Sequence, residues 1–188
     1  MKRGITITTS AYTKDFLREC LESIKDTKYD ILIVANDSYT PDLSYFDRQY
    51  QLVVNDWNGW EIAGIMRGKE LFDEQICLMD TTIVKDISLF DKLFAIDGNV
   101  ALTKGNFHYQ VKLVSKLTPN LPRIHEKSVG ILMETTWLDK SKNYSEFTPD
   151  LPVHTDNFTE IHGQKRMVLE NDYIIKYKGT WVRSAEHP

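Results

Sequence analysis

The chain has 188 residues, of which 41% are hydrophobic and 27% charged, and its formal net charge at pH 7 is -4. These values are typical of a single soluble globular domain, and the negative charge with scattered Lys and Arg residues argues against a nucleic-acid-binding protein. No apolar stretch is long enough to span a bilayer and the amino terminus lacks a signal-peptide core, so we expect a cytoplasmic protein in which Cys20 and Cys77 are reduced core residues.

Strand and helix patterns alternate in the first half of the chain. Short apolar and β-branched runs predict strands at 4–10, 29–37, 50–56 and 75–80, and helical spacing of apolar residues predicts helices at 13–28 and 58–72. Thr13 is the expected N-cap of the first helix, and Asp86 that of a short third helix. Gly64 and Gly68 lie in the second helix, where glycine costs about 1 kcal/mol relative to alanine, and they indicate close helix–sheet packing. The alternation predicts a mostly parallel central sheet with helices on both faces.

The second half is less regular. Strands are predicted at 99–106 and 128–138, with a helix or strand near 107–117. The stretch 139–164 is polar, contains two prolines and shows no period, which is typical of a functional lid or a disordered loop. Residues 166–182 predict a terminal β-hairpin. Because no linker divides the chain, we expect one domain over 1–188.

Polar side chains follow each of the four strands predicted in the first half. They lie at Thr9–Tyr12, Asn36–Ser38, Asn55–Trp60 and Asp80–Thr82. If the strands are parallel, these residues collect at one edge of the sheet, where α/β proteins bind ligands. Together they could bind a nucleobase and a ribose while a carboxylate holds a cation on a diphosphate. Each residue type is also ordinary in turns, so Asp80 has the alternative interpretation of a plain turn residue.

Five segments in this half occur in the order and spacing of a known family. They are "TTSAYT", "FLRECLESI", "ANDS", "NDWNGWEIAGIMRG" and "LMDTT". They resemble glycosyltransferases of the GT-A fold, especially the large inverting family (family 2) that uses nucleotide-diphospho-sugars. The resemblance covers residues 4–95 and implies an α/β, single-domain, Rossmann-like GT-A fold with a C-terminal β-hairpin. Where that family has a metal-binding Asp-x-Asp, this chain has Asp80, Thr81 and Thr82.

The resemblance implies a nucleotide-sugar-binding half, 1–98, and an acceptor half, 99–188, with 139–164 as its mobile segment. The implied nucleotide-sugar-binding residues are Thr9, Ser10, Ala11, Tyr12, Asp37, Asn58, Arg67 and Asp80. Asp80 would hold Mn²⁺ or Mg²⁺ on the diphosphate, and His162 or His154 could complete the metal shell. Because Thr82 replaces the second carboxylate, a metal-independent site or a loss of catalysis is also open.

An inverting transfer needs a carboxylate that takes the proton of the acceptor hydroxyl, whereas a retaining transfer does not. Glu134 and Asp156 are the preferred candidates for this base, ahead of Asp150 and Glu160, and Trp137 is the candidate platform for an acceptor sugar. The acceptor itself (a glycan, a protein or a lipid-linked molecule) is not specified by the sequence.

Three functions remain open. The first is a glycosyltransferase of hexosyltransferase type, metal-assisted, acting from a nucleotide-diphospho-sugar. The second is a non-catalytic binding or assembly module with a degraded metal site, favoured by Thr82 and by the lack of an unambiguous base. The third, a nucleotidyltransferase, is disfavoured because no Gly-rich loop with Arg and Lys follows the first strand.

Overall fold

The computed structural model describes residues 1–102, 111–118, 120, 144–146 and 158–179. The strands in these residues are β1 (Arg3–Thr9), β2 (Asp30–Ala35), β3 (Gln51–Val54), β4 (Glu74–Met79), β5 (Thr82–Val84), β6 (Asn99–Ala101), β7 (Val111–Val114), β8 (Tyr144–Glu146), β9 (Phe158–Ile161), β10 (Gln164–Glu170) and β11 (Ile174–Gly179). The helices are α1 (Lys14–Ile24), α2 (Trp60–Leu71) and α3 (Ser88–Phe94), with a 3₁₀ turn at Ser115–Leu117. None of the described helices is long and apolar enough to cross a membrane.

The strands form two sheets. The large sheet has the order β3-β2-β1-β4-β7-β6-β8, and the small sheet has the order β5-β11-β10-β9. In the large sheet β3, β2, β1 and β4 are parallel, whereas β7 runs antiparallel to both β4 and β6. Every pair in the small sheet is antiparallel. Only Asp80 and Thr81 separate β4 from β5, so the small sheet begins where β4 leaves the large one.

The fold class predicted from the sequence, a single-domain Rossmann-like GT-A fold with a mostly parallel sheet between helices, is wrong. The described residues hold three α-helices against eleven strands, the large sheet is mixed, and the small sheet is a separate antiparallel layer. The physical reason lies in the second half of the chain. Antiparallel neighbours can be joined by tight hairpins and need no crossover helix, so the strand–helix alternation of the first half does not continue.

Two faces of the large sheet are covered by different helices. Alternate residues of β1, β2 and β4, among them Ile7, Ile33 and Leu78, join the buried apolar residues of α1 and α3 in one cluster. The residues that alternate with them, such as Leu32 and Cys77, pack with α2 on the other face. The small sheet contributes Val84, from β5, and Ile174, from β11, to the first cluster. Cys20 and Cys77 are free and buried, as predicted.

Several local predictions differ from the structure. Thr13 makes no capping hydrogen bond to the first turn of α1, because its hydroxyl is used elsewhere. Asp86 does accept a hydrogen bond from the backbone N–H of Ser88 at the start of α3. The segment 139–164, predicted to lack secondary structure, contains all of β8 and β9 and the first residue of β10. The predicted strand 128–138 lies outside the described residues.

The close packing expected of α2 on the sheet is confirmed at Gly64 and Gly68. A Cβ atom at Gly64 would collide with the hydroxyl of Thr8, and one at Gly68 would collide with the amide of Gln75 and lie 2.5 Å from the hydroxyl oxygen of Thr6. The hydroxyl of Thr6 donates to Gln75 Oε1 at 2.9 Å, so the colliding groups are already held in a buried hydrogen bond. The helix can approach the sheet only because both positions lack side chains.

We expect Gly68→Ala to lower the free energy of unfolding by up to about 2 kcal/mol. Overpacking costs about 1–3 kcal/mol, and the better helix propensity of alanine recovers about 1 kcal/mol of this. At this chain length each kcal/mol corresponds to a change in Tm of about 2–4 °C. Thermal unfolding followed by circular dichroism measures the effect. The exposed Glu70 on the same helix is the control, and Glu70→Ala should change stability by less than about 0.5 kcal/mol. A more stable Gly68→Ala variant would contradict the close packing.

Candidate functional site

The carboxyl ends of β1 and β4 form a switch point in the large sheet. From β1 the chain winds to β2 and then β3 on one side, and it returns to β4 on the other side of β1. The backbone N–H of Asn36 donates to the carbonyl of Thr9 at 3.1 Å, and that of Asp80 donates to the carbonyl of Thr8 at 3.0 Å. Crevices at such points, outside the carboxyl ends of parallel strands, are where open α/β sheets bind ligands.

Asp80 is fully buried at this switch point. Its Oδ2 atom accepts hydrogen bonds from Thr9 Oγ1 at 2.7 Å and from Thr13 Oγ1 at 2.5 Å. Its Oδ1 atom has no hydrogen-bond partner among the described residues. A buried polar atom without a partner costs about 1–3 kcal/mol, and more when it is charged. The carboxylate therefore presents one acceptor that the described protein atoms leave unused.

Burial raises the pKa of Asp80, because the ionised carboxylate loses its hydration. The hydroxyls of Thr13 and Thr9 and the charge of Lys176 oppose this shift, and the nearby carboxylate of Glu61 adds to it. A buried carboxyl with a raised pKa in a ligand crevice marks a candidate functional group.

Lys176, in β11, is the basic residue best suited to pair with Asp80. It is 5% exposed, and burial lowers the pKa of its ammonium, whereas the carboxylates of Glu61 and Asp80 oppose this shift. Among the described residues its one hydrogen bond goes to Thr81 Oγ1, at 2.5 Å. An ammonium has three donors, so this geometry leaves donor capacity unused.

Lys112, the other buried lysine of the described residues, has a partner for each of its three ammonium donors. Its ammonium lies 2.9 Å from Glu74 Oε1 and donates to the carbonyls of Ile96 and Gly98, each at 2.8 Å. Its three donors match three acceptors, which is the arrangement of a purely structural lysine. Lys176 lacks this complement.

Arg166, in β10, contributes a second incompletely paired cation. Its Nε atom is buried without a hydrogen-bond partner among the described residues, while Nη2 donates to Gln164 Oε1. Its guanidinium carbon lies 5.0 Å from the ring centroid of Phe16, in α1. Burial lowers the pKa of Arg166, and the charge of Asp80 opposes that shift, so the two charges interact.

The loop after β1 contains four residues predicted to bind the nucleotide. Thr9 is buried against Asp80, and Ser10 Oγ lies 3.2 Å from Thr13 Oγ1, within hydrogen-bond distance. Ala11 is exposed, and Tyr12 has 76% of its surface exposed. An exposed tyrosine beside a ligand crevice provides a free ring face, to which a nucleobase can stack.

Asp37 lies in a tight turn at the end of β2. Asp37 and Ser38 both have a φ of 55°, and the N–H of Tyr39 donates to the carbonyl of Asn36 at 3.0 Å, as in a type I′ turn. The Ser38 N–H donates to the Asn55 carbonyl at 2.7 Å, which ties this turn to the end of β3. Two non-glycine residues in this region are uncommon, and such strain clusters at functional sites. The Asp37 side chain is exposed at the ligand edge.

Arg67 is held at the end of β3 and does not extend freely toward the crevice. Its Nε and Nη2 atoms both donate to Asn55 Oδ1 at 3.2 Å, and its Nη1 lies 3.2 Å from Glu70 Oε2. Asn55 is buried, and Asn58 is half-buried in the same connection to α2. These three residues lie on the β3 side of the edge, next to the turn at Asp37.

His162 lies in the tight turn between β9 and β10. The turn residues His162 and Gly163 have φ values of 51° and 70°, as a two-residue hairpin requires. The imidazole packs edge-on against Phe16, with ring centroids 4.9 Å apart, and its Nε2 lies 3.2 Å from Glu19 Oε1. The structure therefore gives this histidine partners on α1.

The residues of the edge do not fit a divalent cation. No group of three His, Cys, Asp or Glu side chains within the described ranges could hold a metal ion. Asp80 offers one unpartnered oxygen, and Thr82, at the position of the second carboxylate, pairs with Lys176 across the small sheet. An ammonium beside the carboxylate repels a divalent ion. The Mn²⁺ or Mg²⁺ expected on Asp80 and His162 stays a prediction that this donor set does not support.

The predicted acceptor-side residues Glu134, Trp137 and Asp156 lie outside the described residues, as does His154, the other candidate metal ligand. Glu160, described in β9, is exposed.

Sequence reasoning missed three charged residues at the edge, Glu61, Arg166 and Lys176. Glu61, in the first turn of α2, is 9% exposed, although an acidic residue there is ordinarily a solvated partner of the helix dipole. Lys176 carried a usable signal, because strand alternation places it on the same face as the apolar Ile174. A lysine on the apolar face of a strand needs a buried partner.

No protein-family model matches the chain, and no curated protein matches it significantly.

We expect Asp80→Asn to leave the Tm unchanged within about 3 °C or to raise it. The amide oxygen can accept both threonine hydroxyls, and the substitution removes a charge that burial disfavours. Since the raised pKa means that the folded state holds the proton more tightly, wild type loses stability relative to the variant as the pH rises from about 4. Thermal unfolding from pH 4 to pH 8 measures this.

Asp97→Asn, at an exposed position between α3 and β6, is the control and should show no such trend. A large loss of stability in Asp80→Asn at every pH would show that the buried charge serves the fold.

Proposed function

We propose that the chain is a glycosyltransferase that binds a nucleotide-diphospho-sugar at the carboxyl edge of β1 and β4. The observation that carries this proposal is the fully buried Asp80, whose Oδ1 has no hydrogen-bond partner among the described residues and lies at the switch point of the parallel strands. In nucleotide-binding α/β sheets an acidic side chain at this edge accepts a hydrogen bond from a ribose hydroxyl. Asp80 has this chemistry, and Thr9 and Thr13 fix the orientation of its carboxylate.

The residues around Asp80 form two regions of the proposed site, one suited to a nucleobase and one suited to phosphates. On one side, Tyr12 offers an exposed ring and the turn at Asp37 an exposed carboxylate, which suits a nucleobase with its amino and imino donors. On the other side, the basic residues Lys176 and Arg166 of the small sheet suit the phosphates. A nucleoside diphosphate needs this order of aromatic, hydroxyl-binding and anion-binding groups.

The proposed reaction forms one bond and breaks one. The acceptor hydroxyl oxygen bonds to the anomeric carbon of the donor sugar, and the bond from that carbon to the diphosphate oxygen breaks. The nucleoside diphosphate leaves with the electron pair, and the hydroxyl proton is released to a base or to water. Positive groups fixed at the diphosphate stabilise the charge that develops on the leaving group.

The alternative is a binding or assembly module without turnover. Thr82 favours it, because this residue lies within β5, paired with Lys176, at the position where a second acidic group would otherwise act. Such a module would retain the nucleotide crevice and bind the donor without transferring its sugar.

We expect one nucleotide class among UDP-, GDP-, CDP- and dTDP-sugars to raise the Tm of the wild-type protein. A ligand at a hundredfold excess over its Kd stabilises the native state by about 2.7 kcal/mol, which corresponds to several degrees. Asp80→Asn should weaken binding by about tenfold or more, because it places an amide donor where the ligand hydroxyl requires an acceptor. Asp97→Asn is the control and should bind as wild type does.

Release of nucleoside diphosphate from the bound donor, followed by chromatography, separates the two functions. Release that depends on Asp80 supports a transferase, and binding without release supports the module. If none of the sugar nucleotides changes the Tm, the proposed nucleotide site is rejected.

A further inference from the structure

We propose that Lys176, assisted by Arg166, is the built-in cation that binds the diphosphate of the donor, so that donor binding needs no divalent metal. This inference rests on the proposed function, because it assigns the anion-binding end of that nucleotide site. It concerns two strands of the small sheet, β10 and β11, which the resemblance to glycosyltransferases did not reach.

The first argument is the unused hydrogen-bonding capacity of Lys176. Its ammonium is buried, yet the described residues supply a single acceptor, Thr81 Oγ1. Lys112 shows that this fold can saturate a buried lysine with three acceptors. A buried ammonium that retains unused donors next to a ligand crevice is suited to an incoming anion.

The second argument is a second positive charge near Lys176. Arg166 pairs with Gly179 and Lys176 pairs with Leu169, so the two side chains lie on opposite faces of the small sheet, yet the charge of Arg166 opposes protonation of Lys176. The Nε donor of Arg166 is buried without a partner among the described residues. Placing like charges together is unfavourable unless something negative lies between or beside them. Asp80 and Glu61 supply part of that negative charge, and a diphosphate would supply both the remainder and the missing acceptors.

The third argument is the register of the small sheet. Lys176 pairs directly with Thr82, two residues after Asp80, so a protein cation lies across the ladder from the position where a second carboxylate would hold a metal. The N–H of Tyr177 donates to the Thr81 carbonyl at 2.9 Å and fixes the backbone on both sides of Lys176. Thr82, which occupies the position of the second carboxylate, and Lys176 are thus direct neighbours in the structure.

Isothermal titration with UDP, GDP, CDP, dTDP and inorganic pyrophosphate, in EDTA and then in Mn²⁺, tests this inference. We expect one nucleoside diphosphate to bind in EDTA with a Kd that Mn²⁺ changes by less than about threefold. Lys176→Met should weaken this binding by about tenfold or more, because it removes charge-assisted hydrogen bonds, and Arg166→Gln should weaken it by about threefold or more, because it removes a nearby positive charge. Lys165→Gln, at the exposed neighbour of Arg166 in β10, is the matched control and should bind as wild type does.

The outcomes separate this inference from the proposed function. Nucleotide binding that requires Mn²⁺, or that persists in EDTA despite Lys176→Met and Arg166→Gln, overturns the built-in cation but leaves a nucleotide site. Pyrophosphate binding through Lys176 without binding of any nucleotide or sugar nucleotide supports the cation pair and rejects the proposed function. Absence of binding by all the probes rejects both. If Lys176→Met does not fold, Arg166→Gln and the comparison of EDTA with Mn²⁺ on wild type decide the question.

Discussion

The edge of this fold is organised around one constraint, which is that a carboxylate removed from water must be compensated. Asp80 obtains part of this compensation from the hydroxyls of Thr9 and Thr13, so the loop between β1 and α1 is tied to the end of β4. The same requirement explains why Thr13 does not cap α1, since its hydroxyl is already committed to the carboxylate. Within the described part of the chain the compensation is incomplete at Oδ1, and a fold that served stability alone would have no reason to retain an ionisable group there.

Charge compensation also connects the two sheets. Asp80 ends β4 of the large sheet, Glu61 begins α2, and Lys176 and Arg166 lie in the small sheet. The charge of Asp80 acts on the pKa of Lys176 and of Arg166, and the charge of Glu61 acts on the pKa of Asp80 and of Lys176, so the charges of the two sheets are coupled. Buried charged groups of this kind contribute little net stability compared with apolar residues of similar volume. Their retention in the crevice is therefore better explained by binding than by folding.

The sequence allowed the first half of the fold to be predicted more completely than the second. Continuous apolar runs located β1, β2 and β4 within a few residues, and the helical stripe of apolar residues that includes Phe16 and Leu21 located α1. These elements could be predicted because the local spacing of apolar residues indicates which side chains are buried. The terminal hairpin of β10 and β11 was predicted, but its pairing with β5 was not, since β5 has three residues and lies about ninety residues before β11. Asp80 was found from its position after a buried strand. Strand alternation marks Lys176 as inward-facing, but only the long-range pairing of β11 with β5 places it near Asp80.

That long-range pairing has a consequence for how the site is maintained. In a β-ladder a shift of one residue turns every side chain to the opposite face, so the inward position of Lys176 depends on the register of β11 against β5. The register is fixed by the apolar pair Ile174 and Val84, which are paired in the same ladder and buried in the main core beneath α1. A one-residue slip of β11 would turn Ile174 out of the core together with the loss of the lysine from its inward position. The hydrophobic core therefore secures the position of the charged group, and the most polar part of the molecule depends on some of its most apolar contacts.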